Sequence, residues 1–206
     1  MSTRTKLWLV PALLYAAFFY WYTDFGGPLS DTEVDQFVAS MKTNGSDPEV
    51  IAFIEKFARQ DSGRQFLMVN NIDMNENPPD VAGAEPGESA SDLMGRYMDH
   101  MIPALLARAC HPVFMGAAVY PSMDLVGIEG AENWDQAALF RYRSRRAFLE
   151  IVTKRKVAQH FKEGVVTRGV TDVFQIVVFT TRTHATLCGG RTRIITFVET
   201  KEDILE

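Results

Sequence analysis

The sequence lacks most of the residues and motifs that would make its chemistry easy to read. It holds only two cysteines among 206 residues, Cys110 and Cys188, which form neither a CxxC pair nor a zinc-binding spacing. No run of residues forms a strong catalytic motif, because no nucleophile or oxyanion donor can be identified. The cysteines leave two alternatives open, a disulfide between Cys110 and Cys188 outside the cytoplasm, or two buried free thiols.

An excess of basic charge is also missing. The formal net charge is −5, and residues 23–206 hold all 26 acidic side chains but only 19 of the 21 basic ones. A body this acidic is a poor partner for a phosphate backbone. The composition therefore argues against nucleic-acid binding.

One long uncharged run stands near the start of the chain. Residues 7–22 contain no charged side chain, follow Arg4 and Lys6, and end in Tyr20, Trp21 and Tyr22. As a helix this run would measure about 24 Å, somewhat short of the roughly 30 Å hydrocarbon core. Basic and aromatic flanks are typical of a membrane anchor. We therefore predict a single transmembrane helix that contacts the lipid bilayer through residues 7–22.

The alternative for this run is a cleaved signal peptide. The run lacks a small-x-small cleavage site, since bulky aromatic residues precede Thr23 and Asp24. An uncleaved anchor with basic residues before it keeps the N-terminus in the cytoplasm and exports the body. In a bacterium this predicts an inner-membrane protein whose main domain is periplasmic.

Two short amphipathic helices are predicted between the anchor and the body. Ser30 and Glu33 have the spacing of a capping box, and Asp47 followed by Pro48 is typical of a second helix start. Apolar residues then recur at helical spacing from Val34 to Met41 and from Val50 to Phe57. We expect both helices to pack on their own domain.

The remaining chain alternates strands and helices in the order β-α-β-β-α-β. We predict strands at residues 65–74, 113–119, 134–142 and 172–180, a helix beginning at Ser89 or Ser91, and a helix capped by Ser144. This order is the ferredoxin-like arrangement. Further extended segments are expected at residues 123–128 and 193–199.

Two helices cover only one face of a four-stranded sheet. The last strand, residues 172–180, is apolar at nearly every position, which is typical of a strand covered on both faces. Because symmetric dimers are the commonest oligomers, we predict a homodimer in which two sheets meet.

Several residues of this region resemble a known superfamily. The resemblance rests on residues 68–70, Tyr97, Gly127, residues 134–135 and residues 142–146, and it covers a little over half of the chain. The segment is similar to the dimeric α+β barrel superfamily, nearest to a group of small bacterial proteins of unassigned function. That resemblance implies a cavity with the polar or aromatic residues Asn70, Tyr97, Trp134 and Tyr142.

Three residues are candidates for chemistry. His100 follows Asp99, and His111 lies just beyond the same predicted helix, so either is a candidate general base. Arg141 lies in a strand between apolar neighbours, and it either holds a ligand carboxylate or pairs with a structural acid such as Asp135 or Glu150. We favour the structural pairing. The four histidines have no metal-ligand spacing, and we predict neither a metal nor a cofactor.

The sequence thus divides into an anchor (1–26), a helical connector (27–63), an α+β domain (64–181) and a C-terminal extension (182–206). We predict a membrane-anchored dimeric ligand-binding or accessory subunit facing the periplasm, with a membrane-complex partner. The alternative is a cofactor-independent monooxygenase or isomerase that acts on a small apolar or aromatic substrate.

Overall fold

The computed structural model describes residues 3–78, 85–120 and 134–153, together with the backbone of residues 171–179 and 193–197. The fold is mixed α+β. Among these residues lie five helices: α1 (Thr3–Tyr22), α2 (Asp31–Thr43), α3 (Pro48–Arg59), α4 (Ala90–Leu106) and α5 (Arg145–Val152). The predicted extended segment at residues 123–128 lies outside the described residues.

Helix starts follow the predicted capping residues. Ser30 caps α2 and Ser89 caps α4, each in a capping box with the acid three residues later. Asp47 caps α3, with Pro48 at its first position, and Ser144 caps α5. Local hydrogen bonding to the first free N–H groups therefore fixes where four of the helices begin.

The strands form one antiparallel sheet. They are β1 (Phe66–Met74), β2 (His111–Ala117), β3 (Gln136–Tyr142), β4 (Thr171–Phe179) and β5 (Arg193–Phe197). Their order across the sheet is β2-β3-β1-β4-β5. The described elements from β1 to β4 follow one another in the predicted β-α-β-β-α-β order.

The core lies on the helix side of the sheet. Alternate β1 residues, beginning with Phe66 and Met68, are buried there beside Phe140 and Tyr142 of β3. The apolar stripes of α2 and α3 join this same cluster, so the connector packs on its own domain as expected. Phe57 of α3, for example, meets the Phe66 ring edge-on at 5.6 Å.

The other side of the sheet carries the residues that alternate with the buried ones, and the end of α1 contacts it at Arg141. Paired residues of antiparallel strands share a face, and the pairs Leu67–Arg141 and Val69–Leu139 alternate with the buried ones. Phe114 of β2 is in register with Leu139. We call this side, defined by Leu67, Val69, Phe114, Leu139 and Arg141, the open face.

Helix α1 differs from the predicted anchor in one respect. It spans the predicted run, and its side chains from Leu7 to Trp21 are all exposed. Among the described residues, however, no helix combines the length and apolarity needed to cross a bilayer. The prediction of a transmembrane anchor is therefore not supported, and the periplasmic location that depended on it loses its support as well.

Candidate functional site

Arg141 lies at the centre of the most polar buried site on the open face. It comes from β3 and is 8% exposed. Its Nη1 donates to the Ala109 carbonyl at 2.8 Å, and its Nε and Nη2 donate to Gln65 Oε1 at 3.0 and 2.8 Å. Nη2 also donates to the Tyr22 carbonyl at 3.1 Å. One guanidinium therefore joins three segments that are far apart in sequence.

These contacts correct the predicted pairing of Arg141. None of the ion pairs among the described residues involves Arg141. Glu150 instead pairs with Arg108 at 2.7 Å, and Asp135 accepts from the Met74 N–H at 2.7 Å. Arg141 is held by neutral oxygens, and its burial lowers the pKa of the guanidinium from its usual value. The site is an uncompensated positive charge.

Tyr22, the last residue of α1, covers this charge. The guanidinium carbon of Arg141 lies 3.7 Å from the centre of the Tyr22 ring, a cation–π geometry. The Tyr22 ring also stacks with the His111 ring, and their centres are 5.8 Å apart. The Tyr22 hydroxyl lies 3.1 Å from His111 Nε2. We call Tyr22, Gln65, Ala109, His111 and Arg141 the Tyr22 cluster.

The hydrogen bonds of His111 assign its tautomer. Its Nδ1 lies 3.0 Å from the Pro112 carbonyl, which can only accept, so in the neutral ring Nδ1 carries the proton. Nε2 is then the acceptor for the Tyr22 hydroxyl. This arrangement presents a basic nitrogen to a phenol whose ring rests on a cation, which suits proton transfer.

A turn with unusual backbone geometry completes the cluster. Ala109, between α4 and β2, has a φ of 53°, which is uncommon for a residue with a Cβ. The turn directs the Ala109 carbonyl to Arg141 and buries Cys110. Burial raises the pKa of the Cys110 thiol, which makes it a poor nucleophile. The predicted disulfide partner, Cys188, lies outside the described residues.

The basic stretch that begins at Arg141 holds the N-terminal segment in place. Arg143 donates to the Trp21 carbonyl at 2.8 Å, so two arginines bind the last carbonyls of α1, where the helix dipole favours positive charge. Arg145 binds the Phe57 carbonyl at the end of α3. Arg146 binds Glu33 at 2.9 Å. Within the described residues, the arginines of this stretch thus bind carbonyl and side-chain oxygens of other segments.

The residues expected to line a cavity have different environments. Tyr142 stacks on Phe66 at 5.1 Å inside the core, and burial raises its pKa and that of the half-buried Tyr97 above the usual range. Asn70 is buried, with its amide 3.4 Å from the Met68 and Ala138 carbonyls. Trp134 is half-buried just before β3. Tyr142 is thus a core residue, and these four side chains do not join the Tyr22 cluster.

The structure separates the two candidate histidines. His100 and Asp99 are exposed on α4, whereas His111 begins β2 and pairs in register with Arg141. Among the described residues, no group of three or more histidine, cysteine or acidic side chains is arranged to hold a metal ion.

An open depression of about 620 Å³ lies beside the start of α4. Its lining is mainly acidic, from Glu85, Glu88, Asp92 and Asp99, and Arg96 pairs with Glu88. It is separate from the Tyr22 cluster.

Sequence reasoning missed Tyr22, Gln65 and Ala109. Tyr22 was assigned to the aromatic end of a membrane helix, and it lies 89 positions from His111 and 119 from Arg141. No local periodicity reports such a contact. The only signal was the isolated polar position of Arg141 within an apolar strand.

Comparison with known proteins adds a limited likeness. No protein-family model matches this chain, and no curated protein matches it. Two crystal structures of RPA0582, a protein of unknown function from Rhodopseudomonas palustris, are similar at 18% identity. The structure of the methylated protein gives a TM-score of 0.49 over 68% of this chain and 95% of that chain. The other gives 0.46 over 63% and 91%. The likeness is thus to a bacterial protein without an assigned function.

Proposed function

We propose that this protein is a ligand-binding or accessory subunit held at a lipid bilayer by α1. The observation that carries the proposal is the surface of that helix. Leucine, tryptophan and tyrosine side chains lie on all of its sides, with Leu13 60% and Leu14 67% exposed. A helix that is apolar all round is stable only in a protein core or in lipid.

The way α1 meets the body supports this role. Arg141 and Arg143 bind its last two carbonyls, and Tyr22 packs between Arg141 and His111. The body is therefore attached directly where the aromatic end of α1 would lie among lipid headgroups. In this proposal α1 inserts its apolar surface into the bilayer without having to cross it.

The assembly proposed for the body is a homodimer of ferredoxin-like domains. The strand order β4-β1-β3-β2, with α4 and α5 in the connections, fits that arrangement. The open face, with half-buried Leu67, Val69 and Leu139, would be covered by the same face of a second copy. Such a pair of sheets encloses a space wide enough for side chains or one small ligand.

Vesicle flotation with the full chain tests the role of α1. The probe is vesicles of phosphatidylcholine with a minority of phosphatidylglycerol. The unchanged protein should float with them, and the double variant Leu13→Asp, Leu14→Asp should bind at least about 100-fold more weakly, because charge is costly in lipid. The variant should keep the melting temperature of the body, since both side chains are exposed.

The control for flotation is Val50→Asp. Val50 is an exposed apolar residue on α3, 41% accessible. This variant should float like the unchanged protein. If the unchanged protein stays with the soluble fraction, or if all three proteins float alike, α1 is not a lipid-binding element and the proposal is wrong.

One observation favours an enzyme as the second candidate. In the Tyr22 cluster the Tyr22 hydroxyl lies 3.1 Å from His111 Nε2, and the Tyr22 ring lies on the guanidinium of Arg141. A histidine and a tyrosine in such contact can act as an acid–base pair on a substrate. A cofactor-independent monooxygenase or isomerase uses such a pair to remove a proton from its substrate. Oxygen uptake and isomer formation over a panel of small aromatic substrates would test this role. Any turnover should disappear in His111→Gln and persist in His100→Gln.

A further inference from the structure

The open face changes from polar to apolar along its strands. At one end His111 of β2 lies in register with Arg141 of β3. In the next row Phe114 lies in register with Leu139, and Leu139 with Val69. The polar row of His111 and Arg141 thus lies beside an apolar row of Phe114, Leu139 and Val69, which runs across the strands.

The apolar part of this path is accessible. Phe114 is 53% exposed, and its ring leans over Gly116, where Phe114 Cζ lies 3.0 Å from the position that a Cβ would take. The absence of a side chain at Gly116 therefore leaves room for the Phe114 ring. An exposed apolar surface of this kind suits a hydrocarbon chain rather than a compact polar solute.

The polar part carries positive charge without a counter-charge. Arg141 is bound by neutral oxygens alone, and no ion pair among the described residues includes it. Beside Arg141 lie His111 and Tyr22, two residues that are only half-buried. A negatively charged head group beside these residues would compensate the charge of Arg141.

The polar end also lies where α1 ends. Tyr22 is the last residue of the helix, and its carbonyl is 3.1 Å from Arg141 Nη2. If α1 contacts lipid, its aromatic end lies at headgroup depth, and so does the polar end of the open face. A lipid molecule would then need no passage through water to reach it.

We propose that the open face binds a single-chain amphiphile from the bilayer, with its anionic head at His111, Tyr22 and Arg141 and its tail along Phe114, Leu139 and Val69. The proposal rests on the proposed function in one point, because α1 brings this face to the lipid. A second copy over the face would enclose the tail.

The test is native mass spectrometry of the full chain in a mild non-ionic detergent, titrated with oleate and, separately, with oleyl alcohol. We expect one oleate per chain. The alcohol, which has a similar chain without the charge, should bind at least about tenfold more weakly.

Two neighbouring residues of β2 provide a matched pair of variants. Phe114 and Met115 are 53% and 54% exposed, but they lie on opposite faces, since Met115 is in register with the buried Ala138. Phe114→Ser should weaken oleate binding about tenfold through the loss of apolar contact. Met115→Ser should leave it unchanged.

Four results would overturn the proposal: no adduct, equal binding of acid and alcohol, equal loss in both serine variants, or a Phe114→Ser variant that dissociates a dimer yet binds oleate normally. The last would make the open face a contact between copies only. Flotation separates this proposal from the proposed function. If the protein floats but binds no oleate, the ligand proposal is wrong and the proposed function stands. If it binds oleate but does not float, the role of α1 at the bilayer is wrong, and so is the bilayer as the source of the ligand.

Discussion

The two N-terminal helical regions are attached to the body in opposite ways. The connector helices α2 and α3 each bury one apolar stripe in the core. From Leu7 to Trp21, helix α1 carries only apolar and aromatic side chains, and all of them are exposed. Arginines from residues 141–146 nevertheless bind both regions. Hydrogen bonds to carbonyls thus fix where a helix ends, and burial of a stripe decides whether it belongs to the core.

Of the variants proposed here, the one that removes the buried charge of Asp61 from the connector should lower the free energy of unfolding the most. The Asp61 and Arg145 side chains are 1% and 4% exposed, with Oδ1 and Nε 3.7 Å apart. Asp61 also accepts from the Leu29 and Gly63 N–H groups. Asp61→Asn removes the buried carboxylate that faces Arg145, and we expect a loss of about 3–5 kcal/mol in the free energy of unfolding in urea.

The control for Asp61 is Asp35→Asn. Asp35 pairs with Arg59 at 2.7 Å on the surface, where its side chain is 66% exposed. This substitution should cost less than about 1 kcal/mol. If the two variants are equally stable, the connector is held by its apolar stripes alone.

A smaller effect is expected at the start of α2. Ser30 caps the helix and shares its hydrogen bonds with Glu33. Ser30→Ala should lower the free energy of unfolding by about 1 kcal/mol. Ser40→Ala, in the interior of the same helix, should be neutral or slightly stabilising, because alanine has the higher helix propensity. Equal losses from both variants would show that the cap contributes nothing specific.

The smallest expected effect on stability is that of the ion pair between Glu33 and Arg146, and it depends on pH. The hydrogen bond from Arg146, supported by Ser30, lowers the pKa of Glu33 from 4.5 to about 2. The stabilisation is therefore complete above about pH 4.5 and is lost as the pH falls towards 2. Glu33 is 37% exposed, so solvent screening keeps the effect below about 1 kcal/mol.

Thermal unfolding of the unchanged protein and of Glu33→Gln, followed across this pH range, measures that contribution. The difference in melting temperature should be present at neutral pH and vanish near pH 2. A difference that stays constant with pH would mean that the ion pair does not stabilise the connector.

Much of the fold was predictable because its signals are local. Ser30, Asp47 and Ser144 sit before apolar stripes, and the structure confirms all three as helix caps. Strand β3 was predicted to begin at residue 134 and begins at Gln136. The Asp135 side chain just before it accepts from the Met74 N–H at the end of β1. Helix α3 ends at Arg59, and Gly63 lies in a later turn with a φ of 68°.

The candidate site was less predictable because its contacts are not local. The bonds of Arg141 reach residues 32, 76 and 119 positions away, so pairing with the acids nearest in sequence was the wrong prediction. The partners of Arg143, Arg145 and Arg146 could not be predicted for the same reason. The sequence alone does not show whether an arginine side chain binds a carboxylate or a carbonyl.

The position of these arginines has a consequence for the order in which the chain matures. Synthesis delivers α1, α2 and α3 first, and the stretch that binds their ends follows roughly eighty residues later. Until then the carbonyls of Trp21 and Tyr22 lack Arg143 and Arg141, and the apolar helix has no body attached to it. In the nascent chain α1 is thus complete before the arginines that bind its end are made, and the body assembles on a helix that precedes it.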